Sequence, residues 1–227
     1  MNKLERTLES TVVSLPSREL LKKYLEPKPL ELCPEMTVLQ TTQVFDFWEE
    51  WEKESGSQKD TPFWAVVWPA AALLARYIFD NPAYVRQKRV LDLGCGSGIP
   101  AVASALAGAL SVQANDIDPL ALEIASLNAL LNGVSIQFSC GNLVEAGKIP
   151  EADVILVADL FYNRTQSAQL LEFLHHARSL GTEVLIADGN RPFAPRTGIE
   201  LLKSASVKVN MELEGLPERD VRVLELL

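Results

Sequence analysis

The sequence predicts an α/β fold, a doubly wound and mostly parallel sheet with helices on both faces, preceded by an N-terminal extension. Three observations predict it. From about residue 61, strand-like and helix-like runs alternate through most of the 227-residue chain. Two of the strand-like runs, ADVILVAD (152–159) and TEVLIAD (182–188), are apolar on both faces, as buried parallel strands are. The first strand of the series ends in three glycines within five residues, Gly94, Gly96 and Gly98, at a corner leading into an Ala-rich helix.

The elements follow in order. Residues 1 to about 60 form the extension, with SRELLKKYL (17–25) as a short helix and a Pro-rich stretch after it. MTVLQTT (36–42) suits a strand, VFDFWEEWEKE (44–54) an aromatic-rich helix, and SGSQKD (55–60) a polar break. Next, PAAALLARYIFDNP is a helix stopped by Asn81-Pro82. KRVLDLG is a strand, and IPAVASALAG a helix with Pro100 in its first turn. After the strand LSVQAND, DPLALEIASLNALLNG is a helix capped by Asp118 and ended by Asn132-Gly133. VSIQFS is a strand, and TQSAQLLEFLHHARSLG a helix between the two buried strands. RTGIELLKSA (196–205) is expected to be a helix, with SVKVNMEL (206–213) and RDVRVLELL (219–227) as two closing strands. A closing pair without a crossover helix implies one antiparallel strand.

Composition narrows the function. Nearly half the residues are hydrophobic, enough for a sizeable core, and the formal charge is −9. An acidic chain lacks the electrostatic footprint for a phosphate backbone, which argues against a nucleic-acid substrate. Cys33, Cys95 and Cys140 are odd in number and far apart, which fits a reducing compartment and neither a zinc site nor a disulfide framework. The start shows no secretory h-region and is too acidic for a transit peptide, and no apolar run suits a membrane span, so the expectation is cytoplasmic.

An open doubly wound sheet binds ligands beyond the carboxyl ends of its strands. Glycines there permit positive φ and close approach of a ligand to the backbone, beside free helix N–H groups. GSGIPA (96–101) formally matches the dinucleotide fingerprint GxGxxA. Asp92 opposes that reading, because a carboxylate would face a pyrophosphate with the wrong sign. It suits a cationic or amine-bearing ligand, and S-adenosylmethionine carries a sulfonium, an α-amino group and no phosphate.

VLDLGCGSG (90–98) resembles the DxGxGxG motif of class I, seven-strand S-adenosylmethionine-dependent methyltransferases. The resemblance implies strand order 3-2-1-4-5-7-6 with the seventh strand antiparallel, over a methyltransferase domain at 61–227. By the same resemblance Asp92 and the loop Gly94–Gly98 hold the methionine part of the cofactor, and Asp116 the ribose diol. Asn142, in SCGNL, fills the slot that meets the adenine amino group, or is simply a turn residue. PFWAVVWPAAALLARYIFDNP (62–82) resembles the PFWA…WPG segment of seven-strand protein lysine methyltransferases, in particular the electron-transfer flavoprotein β-subunit type. ADLFYN (158–163) resembles the DxxY motif of that group, with Asp159 and Tyr162 matching, and CPEMTVLQ looks like its N-terminal extension. The chain departs from the pattern at Ala70, where glycine is common, and at Asn163, where an acid is common.

The implied activity is methyl transfer to a protein lysine, with the electron-transfer flavoprotein β subunit as the implied partner and residues 1–60 as lid or docking surface. The alternatives are a small-molecule amine or pyridine N-methyltransferase and, more remotely, a non-catalytic module that binds the cofactor. A lysine with a free pKa of about 10.4 must lose its proton before accepting a methyl group. Asp159 and Tyr162 are therefore candidates for orienting the amine; since Asp159 also favours the ammonium form, its expected role is positioning. DLFY lacks the two prolines of the [DN]PP[YF] loops used on planar amides and bases, which favours an aliphatic amine. Trp64 and Trp68 read either as core aromatics or as a wall of the cofactor or substrate pocket, and both count as candidate binding residues. Arg191 is expected to face solvent, and His175 and His176 to lie on the surface.

Overall fold

The computed structural model describes residues 15–227; residues 1–14, with the leader expectation read from them, lie outside the described residues. The described residues begin with helix α1 (Arg18–Tyr24) and a hairpin of β1 (Glu26–Leu30) and β2 (Cys33–Gln40). Helix α2 (Val44–Ser55), a 3-10 turn at Phe63–Ala65 and helix α3 (Pro69–Asp80) follow. The alternating region comprises β3 (Arg89–Leu93), α4 (Ile99–Leu106), β4 (Ser111–Asp116), α5 (Pro119–Leu131), β5 (Gln137–Cys140) and the short α6 (Leu143–Ala146). It continues through β6 (Val154–Ala158), α7 (Arg164–Ser179), β7 (Glu183–Asp188), β8 (Ile199–Lys208), the short α8 (Met211–Glu214) and β9 (Glu218–Leu226).

Seven strands form one sheet in the order β5-β4-β3-β6-β7-β9-β8. Numbered from β3, this is the expected 3-2-1-4-5-7-6. The pairs β3–β4, β3–β6, β4–β5 and β6–β7 are parallel, while β9 runs antiparallel to both of its neighbours. β6 and β7 are buried along nearly their whole length because apolar layers cover both faces. One layer includes Leu73 and Ile78 of α3 and Val102 of α4; the other includes Phe173 and Leu174 of α7. No helix among the described residues is long and apolar enough to cross a membrane.

The closing region corrects the sequence reading. Residues 199–208, expected as the end of a helix and the start of a strand, form the edge strand β8, and residues 211–213, expected as the end of that strand, fall in α8. IELL mimics a helical apolar cluster, but β9 offers an antiparallel partner from Ile199↔Leu226 to Lys208↔Glu218, with one register shift between Leu201 and Lys203. Tertiary pairing thus overrides local preference. The connection from β7 to β8 contains no helix, and residues 189–198 cross the sheet as an irregular segment with Ala194 buried in the second apolar layer.

The extension is bonded to the sheet domain. The N–H groups of Thr37 and Leu39 donate to the side-chain oxygens of Asn132 (2.9 Å) and Asn128 (2.7 Å) on the α5 side. Pro27 and Pro29 lie opposite Leu39 and Thr37, so neither proline is asked for a ladder hydrogen bond. This is why a Pro-rich stretch not read as a strand becomes β1. Asn132, expected as a helix stop, also binds the hairpin, donating to the Thr37 carbonyl at 2.6 Å.

Candidate active site

β3 alternates Val90 and Asp92 onto the face beneath α4, and Asp92 is 1% exposed. Its carboxylate accepts the N–H of Ala101 in the first turn of α4 at 3.0 Å. Burial pushes the Asp92 carboxyl up to about 7, and the Asp116 charge adds to the effect. Asp116 ends the neighbouring strand β4. Its two oxygens accept the N–H groups of Gly96 (2.8 Å) and Asp118 (3.0 Å), bracing the glycine loop from below. Burial raises the Asp116 carboxyl as well, against the opposing pull of those two N–H groups.

The three glycines differ in purpose. All have positive φ, 65°, 52° and 75° at Gly94, Gly96 and Gly98. A Cβ on Gly94 would stand 2.6 Å from Leu160, and one on Gly98 would stand 2.8 Å from the Ala125 methyl of α5. Those two positions serve close packing. A Cβ on Gly96 would meet nothing within 4 Å, so its outer face is open. Gly98→Ala should therefore destabilise the fold by about 3 kcal/mol, from left-handed strain plus overpacking. Urea unfolding measures this, and a loss below about 1 kcal/mol would mean that α4 and α5 part without cost.

The open side of Gly96 faces a narrow cleft lined by Trp68, Ala71, Asp92, Gly94, Cys95 and Ala158 among others, with no lysine or arginine in the lining. A buried carboxylate with a raised pKa, in a cleft lined by neither lysine nor arginine, fits a cationic, phosphate-free group such as the sulfonium amino acid of S-adenosylmethionine. Trp68 precedes α3, and its indole N–H donates to the Phe63 carbonyl at 2.8 Å. Trp64 does not join it. Only 3% exposed, Trp64 packs edge-on against Phe47 (5.7 Å) and Trp51 (6.1 Å), tying the extension to the domain. The two tryptophans share no helix face, because Trp64 sits in the 3-10 turn.

Asn142 caps α6, accepting the Glu145 N–H at 3.1 Å, and Asp118 caps α5 in the same manner through Leu120 N–H at 2.8 Å. Sequence reasoning missed Asn115. Buried at the end of β4, it donates to the carbonyls of Ser139 (2.9 Å) and Gly141 (3.1 Å) and so shapes the loop that presents Asn142. The signal in the sequence was weak, because β4 reads Ser-Val-Gln-Ala-Asn-Asp and one more polar residue does not stand out there.

The ADLFYN segment divides its side chains. Leu160 packs over Gly94, and Phe161 is fully buried, which alone stabilises the loop by about 2 kcal/mol. Tyr162 is 60% exposed, and Asn163 caps α7 through the N–H groups of Thr165 and Gln166. Asp159 adopts φ 55°, a left-handed conformation that Asp tolerates better than most residues. Its Oδ2 accepts Ala70 N–H (3.4 Å), and its Oδ1 accepts Gly189 N–H and Arg191 Nε (both 3.2 Å). Arg191 does not face solvent as expected; its side chain is 20% exposed and ion-paired. His175 and His176 are exposed on α7.

Comparison with known proteins gives a consistent result. The family model described as ribosomal protein L11 methyltransferase (PrmA) matches residues 79–166, the stretch from the end of α3 through the ADLFYN loop. The electron transfer flavoprotein beta subunit lysine methyltransferase of Xenopus laevis is 39% identical over 77% of this chain and 70% of its own length. That of Mus musculus is 38% identical over 76% of this chain and 69% of its own. Among solved structures, the Pyrococcus abyssi tRNA (uracil-54, C5)-methyltransferase in complex with S-adenosyl-L-homocysteine aligns with a TM-score of 0.54 at 15% identity. It covers 90% of this chain and 44% of that one, a likeness of fold.

Proposed function

The chain belongs to the electron transfer flavoprotein beta subunit lysine methyltransferase family, and from that premise we propose that its acceptor is a lysine of the electron transfer flavoprotein beta subunit. It is an S-adenosylmethionine-dependent protein-lysine methyltransferase. When bound, S-adenosylmethionine supplies an electrophilic methyl group that passes to a nitrogen lone pair and leaves a neutral thioether. Residues 61–227 form the catalytic domain and residues 1–60 contribute the surface on which the protein substrate docks.

The observation that carries the reading is the pairing of a buried cation-seeking carboxylate, Asp92 on β3, with a second carboxylate, Asp159, at the end of the adjacent β6. In this reading Asp92 and the loop Gly94–Gly98, through the open face of Gly96, hold the methionine end. Asp116 uses its remaining lone pairs for the ribose hydroxyls, Asn142 meets the adenine edge, and Trp68 closes the cleft. Asp159 and Tyr162 stand on the acceptor side. Asp159 accepts a hydrogen bond from the incoming amine and aims its lone pair at the methyl carbon, so the chemistry rests on alignment and exclusion of water.

The test is incubation of the purified protein with methyl-labelled S-adenosylmethionine and purified electron transfer flavoprotein, followed by mass spectrometry of both subunits. Methylated lysine on the beta subunit is the expected result. Label confined to other proteins of a cell extract, or to small molecules, would overturn the choice of acceptor.

A further inference from the structure

Arg191 lies in the irregular segment after β7, and its guanidinium bridges three groups. Nε reaches Asp159 Oδ1 at 3.2 Å, Nη2 reaches Glu214 at 3.1 Å, and the guanidinium carbon is 5.9 Å from the Trp68 ring centroid. Its backbone N–H donates to Asp188 at 3.1 Å. The neighbouring charges are separately matched. Arg222 of β9 pairs with Asp188 at 3.2 Å, and Arg219 of β9 pairs with Glu214 while donating to the Gly189 carbonyl at 3.1 Å. Three arginines thus face three carboxylates around the acceptor side of the cleft. Asp188 and Glu214 each have an arginine of their own, which leaves the Arg191 charge for Asp159.

A carboxylate that orients an amine by hydrogen bonding also stabilises the ammonium form of that amine. Methyl transfer needs the free base: the ammonium gives its proton to water, the lone pair forms the N–C bond, and the C–S electron pair stays with sulfur. An unopposed Asp159 would hold the proton on the lysine. We propose that Arg191 is a positioning residue that cancels the Asp159 charge, so that Asp159 keeps its hydrogen-bonding geometry without trapping the substrate as an ammonium ion. A guanidinium suits the task because its charge persists at every relevant pH and its planar fork spans both carboxylates. The proposal rests on the reading of Asp159 as the acceptor-site carboxylate.

The experiment is single-turnover methyl transfer to purified electron transfer flavoprotein as a function of pH, with Arg191→Met, Arg191→Lys and Asp159→Asn. Arg191→Met should move the rising limb of the profile upward by about one pH unit and lower the rate near neutrality about tenfold. Binding of S-adenosylmethionine should change little. Arg191→Lys, which keeps the charge, should return the midpoint most of the way. A purely structural role would lower the amplitude without moving the midpoint, and an unmoved midpoint in Arg191→Met overturns the proposal. Should Arg191→Met not fold, R191M/E214Q, which neutralises one acid left behind, is measured against E214Q under the same criterion. Asp159→Asn separates the two levels of inference. Full activity there removes the acceptor-site reading itself, whereas an inactive Asp159→Asn beside an unmoved Arg191→Met profile removes only the role of Arg191.

Discussion

Asp159→Asn is expected to slow methyl transfer by at least about a hundredfold while changing the affinity for S-adenosylmethionine by less than about threefold. The size of the effect follows from geometry. Asp159 closes β6 in a left-handed conformation, held by N–H groups from α3 and from the segment after β7. Two elements besides β6 therefore fix one carboxylate at the carboxyl end of the central strands. The amide is nearly isosteric; its oxygen can keep the Gly189 and Arg191 bonds while its NH2 faces the longer Ala70 contact, and melting temperature reads the cost to the loop. The amide presents an NH2 donor in place of one accepting oxygen, so the incoming amine loses a hydrogen-bond acceptor. Tyr162→Phe should cost less, about tenfold, because Tyr162 is 60% exposed. Transfer by Asp159→Asn at the native rate, measured in a single turnover, would remove Asp159 from the acceptor site.

Binding of S-adenosylmethionine should weaken as pH falls below about 7, by up to about tenfold per unit, and should release close to one proton. Burial holds the Asp92 carboxyl at about 7 in the free protein, well above the ordinary carboxylate range. A cation in the corner lowers it again, so binding below that value must expel the proton. The same shift has a consequence for stability without ligand. The folded state binds a proton at Asp92 that the unfolded state has already lost, so this contribution to stability falls as pH rises from about 4 to about 7. Asp92→Asn should therefore leave the ligand-free protein at least as stable near pH 8, since Asn can still accept the Ala101 N–H while carrying no buried charge. Its affinity for the cofactor should drop by about tenfold to a hundredfold. Calorimetry in two buffers of different ionisation enthalpy reads the proton release. A dissociation constant independent of pH between about 6 and 7.5 would show that Asp92 does not face the cation.

Much of the architecture was legible before any coordinates. The strands with strict local signatures, β3, β4, β6 and β7, and the capped helices α5 and α7 lie close to where periodicity and punctuation put them. The glycine corner was legible because positive φ is a local demand that few residues can meet, and Asp92 because a charge in an apolar run needs a reason. The closing strands were less legible. β8 is an edge strand with one buried residue, Val207, so its own sequence carries almost no period-two signal. Asn128 read as an ordinary helix residue and Asn132 as a helix stop, although both hold the hairpin.

Local chemistry, then, was enough to specify the alternation of strand and helix, the tight corner after β3 and the carboxylates that end β3, β4 and β6. Folding in three dimensions was needed to separate Trp64, sealed in the aromatic cluster, from Trp68 at the cleft, and to bring Arg191 from the β7 segment onto Asp159. The physical reason is range. Backbone conformation and burial of a strand depend on neighbours a few residues away, whereas an ion pair between positions 159 and 191 exists only once the sheet has set their strands side by side.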